Sequence, residues 1–122
     1  MGSLAYAWPI RPGKFEEAKR LRDEVLERGD QEHEVRTMEG MSRIKVFIQG
    51  GPHEMMIAYF EGDDVEAAAA QDLRSDHPHN QWLISRLEEV TEFCFLECQG
   101  GLTSELVFDW HQEHGPAHVE HA

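Results

Sequence analysis

Four histidines crowd the segment "HQEHGPAHVEH" at residues 111–121, namely His111, His114, His118 and His121. Their spacing of three, four and three places all four on one side of a continuous helix. Imidazole suits zinc, copper, iron and nickel, so His111, His114 and His118, with a carboxylate from Glu113 or Glu120, form a candidate metal set. Two features weigh against it. Gly115-Pro116 interrupts the helix between the ligands, and zinc signatures usually add ligands from a separate element. The preferred reading has no metal: Leu106, Val107 and Trp110 recur at helical spacing, so the tail docks by an apolar side over a partner subunit or a pocket mouth.

A second set suits acid–base work. His33, Tyr59, Asp76 and His77 are polar groups on separate elements that one fold can direct to one pocket. A His–Asp pair can act as general base while a tyrosine hydroxyl stabilises a developing enolate or phenolate. Each residue also has a structural reading. Asp76 has the preference of a helix cap, and that reading is favoured. His77 before Pro78 is biased to an extended loop backbone, His33 suits a solvated acidic helix end, and a strand tyrosine such as Tyr59 usually buries its ring. Met56, Trp82 and Trp110 are candidate substrate-binding residues, with core packing as their default role.

These residues must be held by elements legible in the pattern. "SLAYAWPI" reads as a strand ending at Pro9. From Lys14, the series Phe15, Ala18, Leu21, Val25 and Leu26 has helical spacing; Gly29 ends that helix, or the helix runs on through "DQEHEVRTME" and carries His33 near its apolar stripe. "SRIKVFIQ" alternates as a half-buried strand, "GGPH" turns the chain, and "EMMIAYFEG" returns as a strand apolar on both faces and therefore central. Asp63 or Asp64 caps the helix "VEAAAAQDLR", "SDHPHN" breaks it, and Ser75 or Asp76 caps a further helix with Pro78 in its first turn. "TEFCFLECQ" closes the series as a fourth strand.

The order strand, helix, strand, strand, helix, strand predicts an α+β, ferredoxin-like βαββαβ fold with both helices on one face of an antiparallel sheet. The sheet's other face is apolar enough to need cover, and a symmetric homodimer pressing two sheets together supplies it as a dimeric α/β barrel. Residues 1–100 form this unit, and residues 101–122 are a C-terminal helical extension of the same domain.

Composition narrows the partners. The chain has 122 residues, the size of one ordinary domain, and a formal charge of −13. That charge repels phosphate backbones and anionic lipids, so neither nucleic acid nor membrane is an expected partner. The last Lys or Arg is Arg86, and eight acidic residues follow it. On a strand, Cys94 and Cys98 lie about 13 Å apart on one face, too far for a disulfide. Unbridged thiols and a start without a basic, then apolar, leader point to the cytoplasm.

With that order, "PGKFEEA", "MMIAYFEGDDVEAA" and "RSDHPHNQW" resemble small bacterial proteins of the dimeric α/β-barrel superfamily, nearest to the uncharacterised family DUF6176, over roughly residues 4 to 98. The chain is similar, more distantly, to tetracenomycin-type polyketide cyclases and antibiotic-biosynthesis monooxygenases. Those relatives imply a cofactor-free enzyme with its pocket between helices and sheet. The cyclases place a histidine where this chain has Ala58. "DWHQEHGP" resembles the H-G-P helix of EthD-type barrels, although there the motif follows the first strand. The expectation is a cytoplasmic homodimer that needs no cofactor and cyclises or isomerises a small hydrophobic, polyketide-like or aromatic substrate in secondary metabolism. The alternatives are a cofactor-independent monooxygenase, a non-catalytic ligand-binding dimer and a histidine-tail metal protein.

Overall fold

The computed structural model describes residues 2–98 and 104–116. Strand β1 (Gly2–Pro9) is followed by helices α1 (Phe15–Glu27) and α2 (Gly29–Glu39), strands β2 (Met41–Gln49) and β3 (Met55–Gly62), and helices α3 (Val65–Arg74) and α4 (Pro78–Val90). The long helical pattern after Lys14 is thus two helices, broken at Arg28 (φ −104°, ψ 28°) rather than merely ended by Gly29. Gly40, at φ +81°, closes α2 in the left-handed conformation that glycine adopts without a Cβ penalty. Asp64 caps α3 by accepting the Ala67 N–H at 3.2 Å. The cap of α4 is His77, one or two residues later than Ser75 or Asp76.

The main sheet is antiparallel in the order β1-β3-β2, with β3 central as its apolar composition requires. The register sets Tyr6 and Val46 opposite Ala58, and Leu4 and Ile44 opposite Phe60. On the face these residues share, the helices bury Leu4, Tyr6 and Ala58, while Val46 on the edge strand β2 stays exposed. Ile10, Ala18, Leu21, Met56 and Val90 form one buried cluster with Leu83 and Leu87 packed on it; Leu4, Tyr6, Val65 and Ala69 form another. At these two clusters, the space between helices and sheet is filled with side chains. Arg86 ties α4 to α1 by ion pairs to Glu17 at 3.2 Å and Glu24 at 2.8 Å.

The expected fourth strand does not form. Its first residue, Thr91, makes a single bridge to Ile10, and Glu92 N–H donates to Pro9 O at 2.8 Å. This is the free edge of β1, where the last strand of a ferredoxin-like sheet would lie. The Thr91 hydroxyl then donates to Leu87 O at 2.7 Å and accepts the Phe93 N–H at 3.1 Å. Local side-chain bonds of this kind take backbone donors that a ladder would need. The Phe93 ring turns inward, edge-on to Trp8 at 5.3 Å. Residues 95–98 form a turn in which Cys98 N–H meets Cys94 O at 3.2 Å, so the extended spacing of the two thiols is not realised, although both are free. What stands is an α+β chain of four helices on an antiparallel sheet, compatible with the ferredoxin-like arrangement.

The tail also differs from its expected helix. Ser104–Asp109 is irregular and exposed, and strands β4 (Trp110–His111) and β5 (Gly115–Pro116) pair as a short hairpin. Gly115 takes φ +69°, and Pro116 has no N–H to continue a helix. Leu106, Val107, Phe108 and Trp110 are exposed here, and a lone short helix is marginal in water.

A methyl group at Gly62 would lie 2.9 Å from the Gly40 carbonyl oxygen, whereas one at Gly50 would make ordinary contact with Phe15 at 3.5 Å. Gly62→Ala should therefore cost about 1–3 kcal/mol in chemical denaturation, and Gly50→Ala should stay within about 0.5 kcal/mol of the unsubstituted chain. Equal effects would contradict this packing.

Candidate functional site

The α3–α4 junction gathers polar chemistry. Ser75 ends α3, and its Oγ accepts the His77 N–H at 3.2 Å. Pro78 holds His77 extended (φ −61°, ψ 130°), and the His77 Nδ1 accepts the His79 N–H at 3.1 Å. With its Nδ1 lone pair committed to the cap, neutral His77 carries its proton on Nε2. This side chain is therefore a hydrogen-bond donor at the amino end of a helix, a position that favours negative charge. Asp76, exposed beside it, does not serve as the cap. Met38, Ala67, Ala70, Arg74, Asp76 and His77 line an open cleft of about 840 Å³. A second cleft of about 660 Å³ shares Arg74, Ser75 and Asp76 and is bounded by Ile84, Glu88 and Phe95.

Behind the junction lies a buried polar network. The Arg36 guanidinium on α2 bonds Glu32 at 2.6 Å, Glu39 at 2.7 Å, Asp72 of α3 at 2.6 Å and the Asn80 Oδ1 of α4 at 2.5 Å. Asn80 Nδ2 donates to Glu39 at 3.3 Å, and His79 Nε2 meets Glu32 at 3.2 Å. Burial alone would weaken the arginine's charge, yet Asp72 and Glu32 outweigh it and hold the guanidinium more firmly protonated than usual. Three carboxylates around one cation are too many. Burial, and then the neighbouring Asp72 charge, push Glu39 up to about 8, so it is a neutral acid at pH 7. His79 is fully buried with its Nδ1 unpaired, 5.7 Å from the Trp82 ring, which in turn lies 3.8 Å beneath the Arg28 guanidinium.

Of the residues singled out from sequence, the structure brings Asp76 and His77 into one cleft. His33 is exposed on α2, outside that lining. Tyr59 pairs with Ala5 and Lys45 on the sheet face away from the helices, where partial burial and Glu61 push its phenol up. Met56 fills the core instead of a pocket, Trp82 is half-buried under Arg28, and Trp110 is exposed on the hairpin. His111 and His114 stand together on that hairpin, while His118, like Glu120 and His121, lies outside the described residues. The network was the omission. The offsets of Glu32 and Glu39 from Arg36, four and three residues, were the readable signal; the partners on α3 and α4 leave no local pattern.

Comparison with protein-family models, with curated proteins and with solved structures finds no match to this chain. Among the described residues, no helix is long and apolar enough to cross a membrane.

Glu39 holds its proton up to about pH 8 when folded but only to ~4.3 when unfolded. Between these values the folded state binds the extra proton, so this group's contribution is full below about pH 4 and is lost as pH rises through about 8. Denaturant titrations from about pH 5 to 8.5 should show that loss in the unsubstituted chain and not in Glu39→Gln. Asp72→Asn, by removing the repelling charge, should shrink it. A difference between the parent and Glu39→Gln that does not vary with pH would contradict this assignment.

Proposed function

We propose that the chain is a cofactor-free, homodimeric enzyme that moves a proton on a small hydrophobic, aromatic or polyketide-like ketone, isomerising or cyclising it in the cleft at the α3–α4 junction. The observation that carries this reading is the pairing, in one cleft, of the Asp76 carboxylate with the His77 imidazole at the amino end of α4. In this mechanism Asp76 removes a proton next to the carbonyl. His77 Nε2–H and the helix amino end stabilise the enolate oxygen. A neutral imidazole suits that role, since its proton is already placed for donation. Met38, Ala67 and Ala70 give the substrate an apolar wall, and Arg74 offers a cation to an acidic substituent. The geometry thus favours Asp76 over His77 as the base.

The suggested kinship with dimeric α/β barrels belongs to the same proposal. Its support is the outer sheet face, where Ala5, Ala7 and Phe47 are exposed beside half-buried Ile57 and Tyr59 and the helices all lie on the other side. A second copy pressing its own sheet there would bury these residues.

Two measurements test the reading. In heavy water, the protein should catalyse deuterium uptake at the α-carbon of an aromatic ketone such as β-tetralone, followed by NMR. Asp76→Asn should lower the rate roughly 100- to 10,000-fold. His77→Asn keeps a capping side chain and should also slow exchange without shifting Tm. Ketone binding without exchange would point to a ligand-binding protein instead, and oxygen uptake during turnover would point to a monooxygenase. For the assembly, light scattering should give twice the chain mass, reduced to one chain by Phe47→Glu; a monomeric parent protein rejects the dimer.

A further inference from the structure

The β4–β5 hairpin carries a cluster that the proton-transfer reading does not use. His111, Glu113 and His114 each place a ligand atom so that all three lie within 4.8 Å of one another. The turn itself arranges them. His114 N–H donates to His111 O at 3.1 Å, Gly115 takes the positive φ of +69° that lets the chain reverse, and the two imidazole rings stand 5.2 Å apart at 30°. His111 Nδ1 accepts the Glu113 N–H at 3.1 Å, so its lone pair is directed at the residue that bears the carboxylate.

We propose that this hairpin turn is a binding site for a divalent transition-metal cation of the zinc class, held by His111, Glu113 and His114. Two imidazoles and a carboxylate form a three-ligand set that zinc accepts with water in the remaining position. Ligands at 2.0–2.1 Å from a tetrahedral ion stand about 3.3 Å from each other. The exposed side chains therefore need to close by at most about 1.5 Å, a movement their rotamers permit without disturbing a core. Ligation at Nδ1 replaces one hydrogen bond, worth about 1 kcal/mol. The surroundings favour a cation, because no Lys or Arg follows Arg86 while Glu105, Asp109 and Glu113 all lie in this stretch. The site keeps His111, His114 and Glu113 of the set the sequence suggested, but the local turn, and not a continuous helix, assembles it.

Isothermal titration of the full chain, free of any affinity tag, with zinc chloride should give one zinc per chain. His111→Ala and His114→Ala should each weaken binding at least about tenfold, and Glu113→Gln should weaken it less, with unchanged circular dichroism throughout. A His118→Ala, His121→Ala double variant should retain the hairpin site. Absence of binding at millimolar zinc, parent-like affinity in the His111 and His114 variants, or a loss confined to the His118, His121 double variant would each overturn the assignment.

Discussion

One buried guanidinium governs how the helices meet. Arg36 reaches residues of α2, α3 and α4 at once, through Glu32 and Glu39 of its own helix, Asp72 on the next and Asn80 on the last. Helix α2 needs it: along its eleven residues, Val35 is the one buried apolar side chain. Where a helix has little apolar surface to bury, directional charge-assisted bonds must supply its orientation. A buried ionic group does not guarantee net stability, since desolvation takes back much of the attraction. Its contribution here is to fix geometry, and the neutral Glu39 is the compromise that lets one cation serve three acids.

The cleft at the α3–α4 junction is a by-product of that arrangement. Asp72 and Asn80 fix the end of α3 and the first turn of α4, and the three residues between these helices, Ser75 to His77, must bridge two anchored ends. Short side-chain bonds from Ser75 and His77 use up the backbone donors there. The polar chemistry of the junction is therefore preorganised by a network that lines neither of the two clefts. Asp76 is left in the bridge with its carboxylate uncommitted to capping.

Much of this architecture was legible in the chain, and the misses have a common cause. Period-two alternation in "SRIKVFIQ" and the two-faced apolar run of "MMIAYF" placed β2 and β3, and helix-forming composition placed α1 and α3. Those signals are local. The break at Arg28, the inward turn after Thr91 and the hairpin in the tail are set by short-range bonds and backbone angles that apolar periodicity does not register. Apolar periodicity in "FCFL" is the same whether Phe93 extends along β1 or turns inward onto Trp8, and a hydroxyl at Thr91 decides between them. In the site, the proximity of Asp76 and His77 followed from adjacency in sequence. His33 stays exposed on α2 outside the cleft lining, and strand alternation sends Tyr59 to the sheet face away from the helices. The Arg36 network depends on contacts across 36 and 44 residues, which no sequence window contains.

The unfinished edge of β1 has a consequence of its own. On the opposite rim, β2 is guarded by Arg43 and Lys45, charges that discourage another chain from annealing to the sheet. Along β1 the corresponding guard, among the described residues, is a single bridge at Thr91 and the inward-turned Phe93. Beyond that bridge, exposed Ala5 and Ala7 stand on an edge with no strand partner among the described residues, and their small apolar side chains sterically welcome a foreign strand. Self-templated misassembly would therefore start along β1 rather than at the charged rim of β2.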